Sequence, residues 1–495
     1  MKKRLLFLIF LTGCTVGPDY KAPENTISNT WTAPTDATTE PPITEWWKVF
    51  NDPLLDKYIE LASVNNQDLL TAEANILQAR AVRQVTASSL FPQIIADVNA
   101  TKTYFSKNGP VFAIGPSTAG TEGVTTPATT GSVSSATGLP FQVQVPQTQS
   151  LYNALIDVSW EIDLFGKTRR SIQAADATIE STIEQRNDTL VSVMAEVARN
   201  YVEIRTNQKR AQLIEERIQL LEQEAVIVEK QLEYGYVSDL DWENIQATLA
   251  TERANLPETI ALVYRGIYTL SVLTGNMPET LLEELLPTQP MPKAPEKIAV
   301  GLRSDLLRRR PDIRRSERAL AAATANVGVA VASFFPTITL LGDGGFQSLS
   351  IKNLFTARSK TWALGGDINL PIFQGGSLIG NLKASRAATE AAAHVYQQTV
   401  LQALEETEGA LISYTKAVAS TDQLHLATES RSQFTAISRE RHEKGLVNLL
   451  SLLESQLLLN QAEQQQLDGD STVLFDLILL YKALGGGWER GEAMK

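Results

Sequence analysis

"EYGYVSDLDWENIQ" (233–246) and "EKGLVNLLSLLESQ" (443–456) stand 210 residues apart in one chain. Each reads Glu, one residue, Gly, one residue, Val, then a stretch that closes on Gln. Long polar–apolar helical sequence flanks both. A glycine at the end of such a stretch marks a helix that stops in a left-handed residue. Gly235 and Gly445 are therefore read as the turns of two helical hairpins. Residues 167–234 hold no Gly and no Pro. As a helix they would run on the order of 100 Å, beyond the size of a globular domain. Ile214, Ile218, Leu221, Ala225, Val228 and Leu232 recur at alternating steps of four and three, the seam of a coiled coil. The second copy repeats this from Asn381 to Lys444, interrupted only by Gly409. A second helix follows each turn, to about Thr274 and Leu484.

The duplication extends beyond the hairpins. "NNQDLLTAEANILQARAVRQVTASSLFPQI" (65–94) aligns without gaps on "RRPDIRRSERALAAATANVGVAVASFFPTI" (309–338), at an offset of 244. Gly275 falls on Gly485 at the 210 offset. The chain is two copies of one long unit, not an array of short repeats.

Within each copy a helix of about 25 residues ends at Phe-Pro, where proline stops it. An alternating stretch follows. Ile94, Ala96, Val98 and Ala100 share one side. "YNALIDVSWEIDLF" sets Leu155, Asp157, Ser159, Glu161 and Asp163 against Ala154, Ile156, Val158, Trp160, Ile162 and Leu164. Period two with one apolar face is a two-faced strand. The second copy supplies "FPTITLLGDGGFQSLS" and "KTWALGGDINLPIF", giving four strands in all. Four strands cannot close a membrane barrel, since the small ones use about eight. Either they form a soluble sheet, or several copies of the chain pool their strands. Between the first two strands, residues 106–150 are rich in Thr, Gly, Ser and Pro and read as a long loop.

The 495 residues carry 44 Lys and Arg against 56 Asp and Glu, a net charge of -12. Such an acidic chain is a poor candidate for nucleic-acid binding, which needs a basic face. One cysteine, Cys14, and three histidines exclude a disulfide framework and argue against a Cys/His metal cluster. The chain opens "MKKRLLFLIFLTGCTVGPDY", with basic residues, a short apolar run and Leu11-Thr12-Gly13-Cys14. The run falls short of the roughly 20 residues that span a bilayer. It reads as a lipoprotein signal, with cleavage before Cys14 and acylation of its sulfur. The rival is a chance small-residue stretch. No later segment reaches 18 consecutive apolar residues. A membrane crossing would therefore need strands in a closed barrel.

These motifs resemble the outer membrane factor family, the TolC-like exit ducts, and within it the OprM-like efflux lipoproteins. The resemblance is carried by "CTVGPDYKAP", "EWWKVFNDPLLDKYIELASVNNQDLLTAEANILQAR", "VSWEIDLFGKTRR", "LLRRRPDIRRSERALAAATANVGVAVASFFPTI", "LPIFQGGSLIGNLKAS" and "HEKGLVNLLSLLESQ". It covers nearly the whole chain; the 106–150 loop has no counterpart. It implies a mainly α fold with a membrane β-barrel. Three chains would give a homotrimer with twelve strands in the outer membrane and a long periplasmic α-helical barrel. The expected organisation is a signal peptide 1–13, an equatorial segment 14–65, and a first repeat 66–275 with strands near 91–105 and 151–165 and a tip near 235. An equatorial linker 276–308 follows. A second repeat 309–485 has strands near 336–350 and 360–373 and a tip near 445, and an equatorial segment 486–495 ends the chain.

The same resemblance places the hairpin tips at the periplasmic end, where such ducts narrow at acidic residues and a leucine. Here the leucine maps to Leu450. The second-hairpin acidic positions map to Glu454 and Ser451, and the first-hairpin one to Asp241, with Asp239 near it. The arginine that often ties the tip shut is not matched, because Glu443 and Val447 stand at the candidate positions. A threefold axis would crowd like carboxylates, inviting a bound cation or raised pKa values. Each residue has a plainer alternative: Glu454 as a solvated helix residue, Leu450 as packing within the hairpin. Asn460, Gln461, Gln464, Gln465 and Gln466 among leucines suit either a wet lumen or a solvated surface.

The function implied is a passive exit duct for drugs or other small molecules, with no enzyme activity and no cofactor. Its partners would be a periplasmic adaptor, an inner-membrane pump of the resistance-nodulation-division type, and outer membrane lipid; nucleic acid is not among them. The same fold could serve type I protein secretion or metal-ion efflux. An adaptor protein, the other rival, would show a single hairpin. Gly342, Gly344 and Gly345 lie inside a strand pattern rather than at a strand-to-helix turn, which argues against a phosphate loop. The histidines stand singly, and no nucleophile–base pair can be assembled.

Overall fold

A computed structural model describes residues 15–23, 28, 30–32, 44–106, 147–295 and 298–488. Cys14, the 1–13 segment, most of the 106–150 loop and residues 489–495 lie outside them. The chain divides into two compact units. One holds residues 85–169 and 331–378 with the first described residues; the other holds 17–84, 170–330 and the rest from 379.

The smaller unit is built on four antiparallel strands in the order β1 (Gln93–Tyr104), β2 (Thr148–Ile162), β3 (Thr337–Ser348), β4 (Lys360–Asn369). The register sets Ile95 and Asp343 on either side of Asp157, and Val98 opposite Ala154. Because side chains alternate across a strand, one face collects Ile94, Val98, Ile156, Trp160, Leu340 and Leu364. The other collects Asp97, Asn99, Asp157, Glu161, Asp343 and Asp367. That polar face is knitted by amides: Asn153 Nδ2 donates to Asn99 Oδ1 at 3.0 Å, and Asn99 Nδ2 to Asp97 Oδ1 at 2.7 Å. Gly345 lies against β2, where an added Cβ would sit 2.1 Å from the Ala154 carbonyl oxygen. Here the strand needs glycine for close approach, not for a bend. Among the described residues, the outer edges of β1 and β4 find no partner strand. Such edges demand partners when they face lipid.

The larger unit is helical. It comprises α1 (Pro53–Asn65), α2 (Gln67–Ser88), α3 (Lys167–Glu233), α4 (Asp239–Leu273), the short α5 (Leu282–Leu285) and α6 (Leu306–Arg309), α7 (Pro311–Ala332), α8 (Ser377–Glu443) and α9 (Leu449–Ala483). α3 and α8 are each 67 residues long, and α4 and α9 are each 35. α8 continues unbroken through Gly409, as an isolated glycine in a long packed helix can. None of the described helices is long and apolar enough to cross a membrane.

α3 and α4 form the first hairpin. Leu221, Ala225 and Val228 pack on Ile245 and Leu249. Arg217 pairs with Glu252 at 2.7 Å, and Arg253 with Glu222 at 2.6 Å. α8 and α9 form the second, where Thr435 and Thr428 hydroxyls donate to the Ser455 and Ala462 carbonyls. The hairpins meet along α3 and α9. Arg210 pairs with Asp468 at 2.6 Å, Asn460 Nδ2 donates to the Leu213 carbonyl at 2.8 Å, and Leu457 packs on the first hairpin's core. The helices therefore lie in the order α4, α3, α9, α8. Asn460 is buried in this seam and Gln464 donates to it. Part of the polar run thus faces neither a lumen nor solvent; it satisfies a backbone carbonyl between helices, as buried polar groups must.

A separate core gathers Trp46, Trp47, Leu55, Tyr58 and Ile59 against Val197, Tyr201, Leu270, Leu477 and Tyr481. Trp46 stacks on Tyr481 with centroids 5.5 Å apart. Asp52 caps α1 and also accepts from the Tyr201 hydroxyl at 2.7 Å. Arg310 binds Asp312 and Glu406, both at 2.7 Å, and donates to the Ala483 carbonyl at the end of α9. These contacts clamp the connecting segments around the hairpin bases.

Candidate functional site

The two turns have the same backbone. Gly235 (φ 73°) donates to the Leu232 carbonyl at 2.9 Å, and Tyr236 to that of Gln231 at 2.8 Å. Gly445 (φ 70°) donates to His442 and Leu446 to Arg441, both at 2.8 Å. This paired 5→2 and 6→1 bonding ends both helices on a left-handed glycine. Nothing lies within 4 Å of where a Cβ would stand at either position. The glycines are there for backbone angle alone.

The side chains differ. The first turn exposes Tyr234 and Tyr236, with rings 6.4 Å apart, and Leu240. The second exposes Leu446 and Leu449. α4 begins with a capping box: Asp241 Oδ2 accepts from the Ser238 main-chain N–H at 3.0 Å and from its hydroxyl at 2.8 Å. These bonds hold the Asp241 carboxyl below the usual aspartate range, because they favour the charged form. α9 begins differently. Asn448 caps it by accepting from the Ser451 N–H at 2.8 Å. Ser451 occupies the position of Asp241 and serves a cap through its backbone only.

Asp239 is exposed in the first turn of α4, where a carboxylate suits the helix dipole. Leu450 is half-buried in the first turn of α9 and shares its helix face with the exposed Glu454. Leu452 and Leu453 are buried beside them. Glu454 faces Glu224 on α3. Burial first, and Glu454 second, push the Glu224 carboxyl up, while Arg217 pulls it down. A second acidic pair lies further along the seam: burial and then Glu216 raise Glu463, opposed by Lys209. Glu224 and Glu216 were not singled out from sequence, because nothing along the chain announces which helix α9 will lie against. The Ser238-x-x-Asp241 box was legible as a pattern.

Among the described residues, no group of three or more His, Cys, Asp or Glu could hold a metal ion. His425 stands 2.9 Å from Asp470, and His442 bonds the Val447 carbonyl in the second turn.

Comparison with known proteins agrees with this architecture. The sequence pattern of the outer membrane efflux protein family matches residues 58–276 and 302–486. The chain is 29% identical over 508 aligned positions to the antibiotic efflux pump outer membrane protein ArpC of Pseudomonas putida, covering 100% of this chain and 98% of that one. Identity and coverage are the same for the toluene efflux pump outer membrane protein TtgC, also of Pseudomonas putida. Among solved structures, the outer-membrane channel OprN superposes with a TM-score of 0.79 at 28% identity, over 96% of this chain and 100% of that one.

Proposed function

The chain belongs to the outer membrane efflux protein family, and on that premise we propose that its paired hairpin tips form the constriction of an exit duct for small, largely apolar organic molecules. The protein is the outer membrane channel of a tripartite efflux system. It works as a homotrimer with a periplasmic adaptor and an inner-membrane pump. Its strands complete a barrel in the outer membrane and its helices extend into the periplasm.

The sheet explains why three copies are needed. Among the described residues β1 and β4 leave both edges open, and only closure removes such edges in a bilayer. Apolar residues on one face and carboxylates and amides on the other suit lipid outside and water within.

At the tips, Leu450 and Glu454 narrow the passage in the proposed reading, with Ser451, Asp239 and Asp241 around them. Gly235 and Gly445 set the turns. The support is the shared face of Leu450 and Glu454 beside Glu224. Cys14 carries the lipid anchor, and the duct itself performs no catalysis and uses no cofactor. Energy comes from a pump of the resistance-nodulation-division type.

The observation that carries the substrate class is the full-length similarity to channels named for antibiotic and toluene efflux. The test is removal of this gene alone, leaving pump and adaptor intact. The expected result is greater sensitivity to toluene and to amphiphilic antibiotics, with slower ethidium efflux, restored by the intact gene. Unchanged sensitivity, with a secreted polypeptide or a metal ion retained instead, would overturn the substrate class.

A further inference from the structure

The sheet has two unlike ends. At one end every strand joins a helix: α2 leads into β1, β2 into α3, α7 into β3 and β4 into α8. At the other end β1 is linked to β2 and β3 to β4. Since the helices extend into the periplasm, the linked end faces outward, at the outer leaflet.

Charge is sorted along this axis. The register puts Val98, Ala154, Phe346 and Lys360 at one level. All the strand carboxylates, Asp97, Asp157, Glu161, Asp343 and Asp367, lie on the helix side of it. At that level and outward, the charged side chains among the described residues are Lys102, Lys352, Arg358 and Lys360, with no acid. None of the four has a carboxylate partner among the described residues. By strand alternation, Lys102 and Lys360 sit on the apolar face with Trp362 and Leu364.

The link between β3 and β4 carries two of these cations and has a fixed fold. The Asn353 carbonyl accepts from the Thr356 hydroxyl at 2.9 Å and from the Ser359 hydroxyl at 2.7 Å. Leu354 is buried. Phe355 meets Phe346 edge-on, with centroids 5.5 Å apart. Phe346 lies opposite Lys360, on the apolar face, so this contact fastens the loop toward the lipid side of the sheet. Phe355 is still 73% exposed, and Ile351 58%. Water gives no reason to hold such side chains out. The edge of a bilayer does, because aromatic girdles stand at that level and basic residues meet lipid phosphates there. A zwitterionic headgroup brings its own cation. Four unpaired cations instead complement a lipid whose phosphates have no amine to offset them.

We propose that the β3–β4 loop is a seat for a phosphate-rich anionic lipid of the outer leaflet. Lys352, Arg358 and Lys360 take the phosphates, Arg358 through paired N–H donors, and Ile351, Phe355 and Trp362 lie along the acyl chains. Lys102 adds charge on the same face. The seat rests on the outer membrane barrel and is independent of gating at the hairpin tips.

The test uses the full chain as trimer in phosphatidylcholine nanodiscs doped with lipid A, which carries two phosphates, or with lipid A stripped of both. The discs are dissolved in mild detergent, and lipid retained on the trimer is counted by native mass spectrometry. Intact lipid A should stay bound and the stripped form should not. Retention should weaken as salt rises. Lys352→Gln, Arg358→Gln and Lys360→Gln should each weaken it about fivefold. Equal retention of the stripped lipid, or full retention by the triple variant, would overturn the seat. Displacement by inorganic phosphate would make it a small-anion site and also overturn it. Should the triple variant fail to assemble, the two lipids compared on the parent trimer decide. Conductance in a planar bilayer separates the two levels of the account. A parent trimer that conducts but retains no lipid A would contradict the seat alone; a chain that never inserts would overturn the barrel and the seat together.

Discussion

Glu454 on the return helix of the second hairpin faces Glu224 on the outgoing helix of the first. The two like charges lie across the α3–α9 seam close to the turns and repel one another. Arg217, the cation that draws the Glu224 carboxyl down, is already bound to Glu252.

The pH dependence follows from the direction of the Glu224 shift. Its folded value is raised above the ordinary 4.5. The penalty is therefore absent below 4.5, where the carboxyl is protonated folded or unfolded. It grows as pH rises through the raised value. Melting of the purified trimer should shift to higher temperature as pH falls through that window. Glu224→Gln should remove part of the dependence and stabilise the neutral-pH protein by about 0.5 kcal/mol, the size of a like-charge helix pair. A Gln variant with an unaltered pH–melting profile would show that the pair is too far apart to matter.

The two glycine turns should respond alike, because their backbones coincide. Gly235→Ala and Gly445→Ala each force a Cβ into the left-handed region, at about 1–2 kcal/mol. Gly→Asn at either position should cost less. Chemical denaturation of the four variants checks the order; an Ala variant as stable as the parent would contradict the turn geometry.

Ser238 and Asp241 cap α4 together. Ser238→Ala should cost about 1 kcal/mol and speed amide exchange in the first turn of α4. Ser451→Ala should do neither, since Ser451 contributes only its N–H to the Asn448 cap.

In the sheet, Asp157 and Asp343 are directly opposed on the polar face, which carries no Lys or Arg among the described strand residues. Like charges so placed repel and favour a counter-ion between them. Asp157→Asn with Asp343→Asn should reduce cation preference, read as a reversal potential closer to zero under a potassium chloride gradient.

Much of this architecture was legible before any coordinates. Gly- and Pro-free length announced α3, and period-two alternation announced β2, because both signals are local. Open strand edges followed from counting strands. The relationships that matter at the tips were not local. Glu224 becomes interesting only once α9 is laid on α3, and Asn460, which suited a wet lumen or a solvated surface equally, instead bonds the Leu213 carbonyl. Asp241 shows the opposite failure: its cap was written in the sequence, but the resemblance drew notice to its charge instead.

The central claim is that Leu450 and Glu454 narrow the duct at its tips, and single-channel conductance in a planar bilayer tests it most directly. Leu450→Ala with Glu454→Ala should raise the conductance of reconstituted trimer several-fold over the parent, with the melting temperature little changed. A folded double variant that conducts no better than the parent would contradict the account.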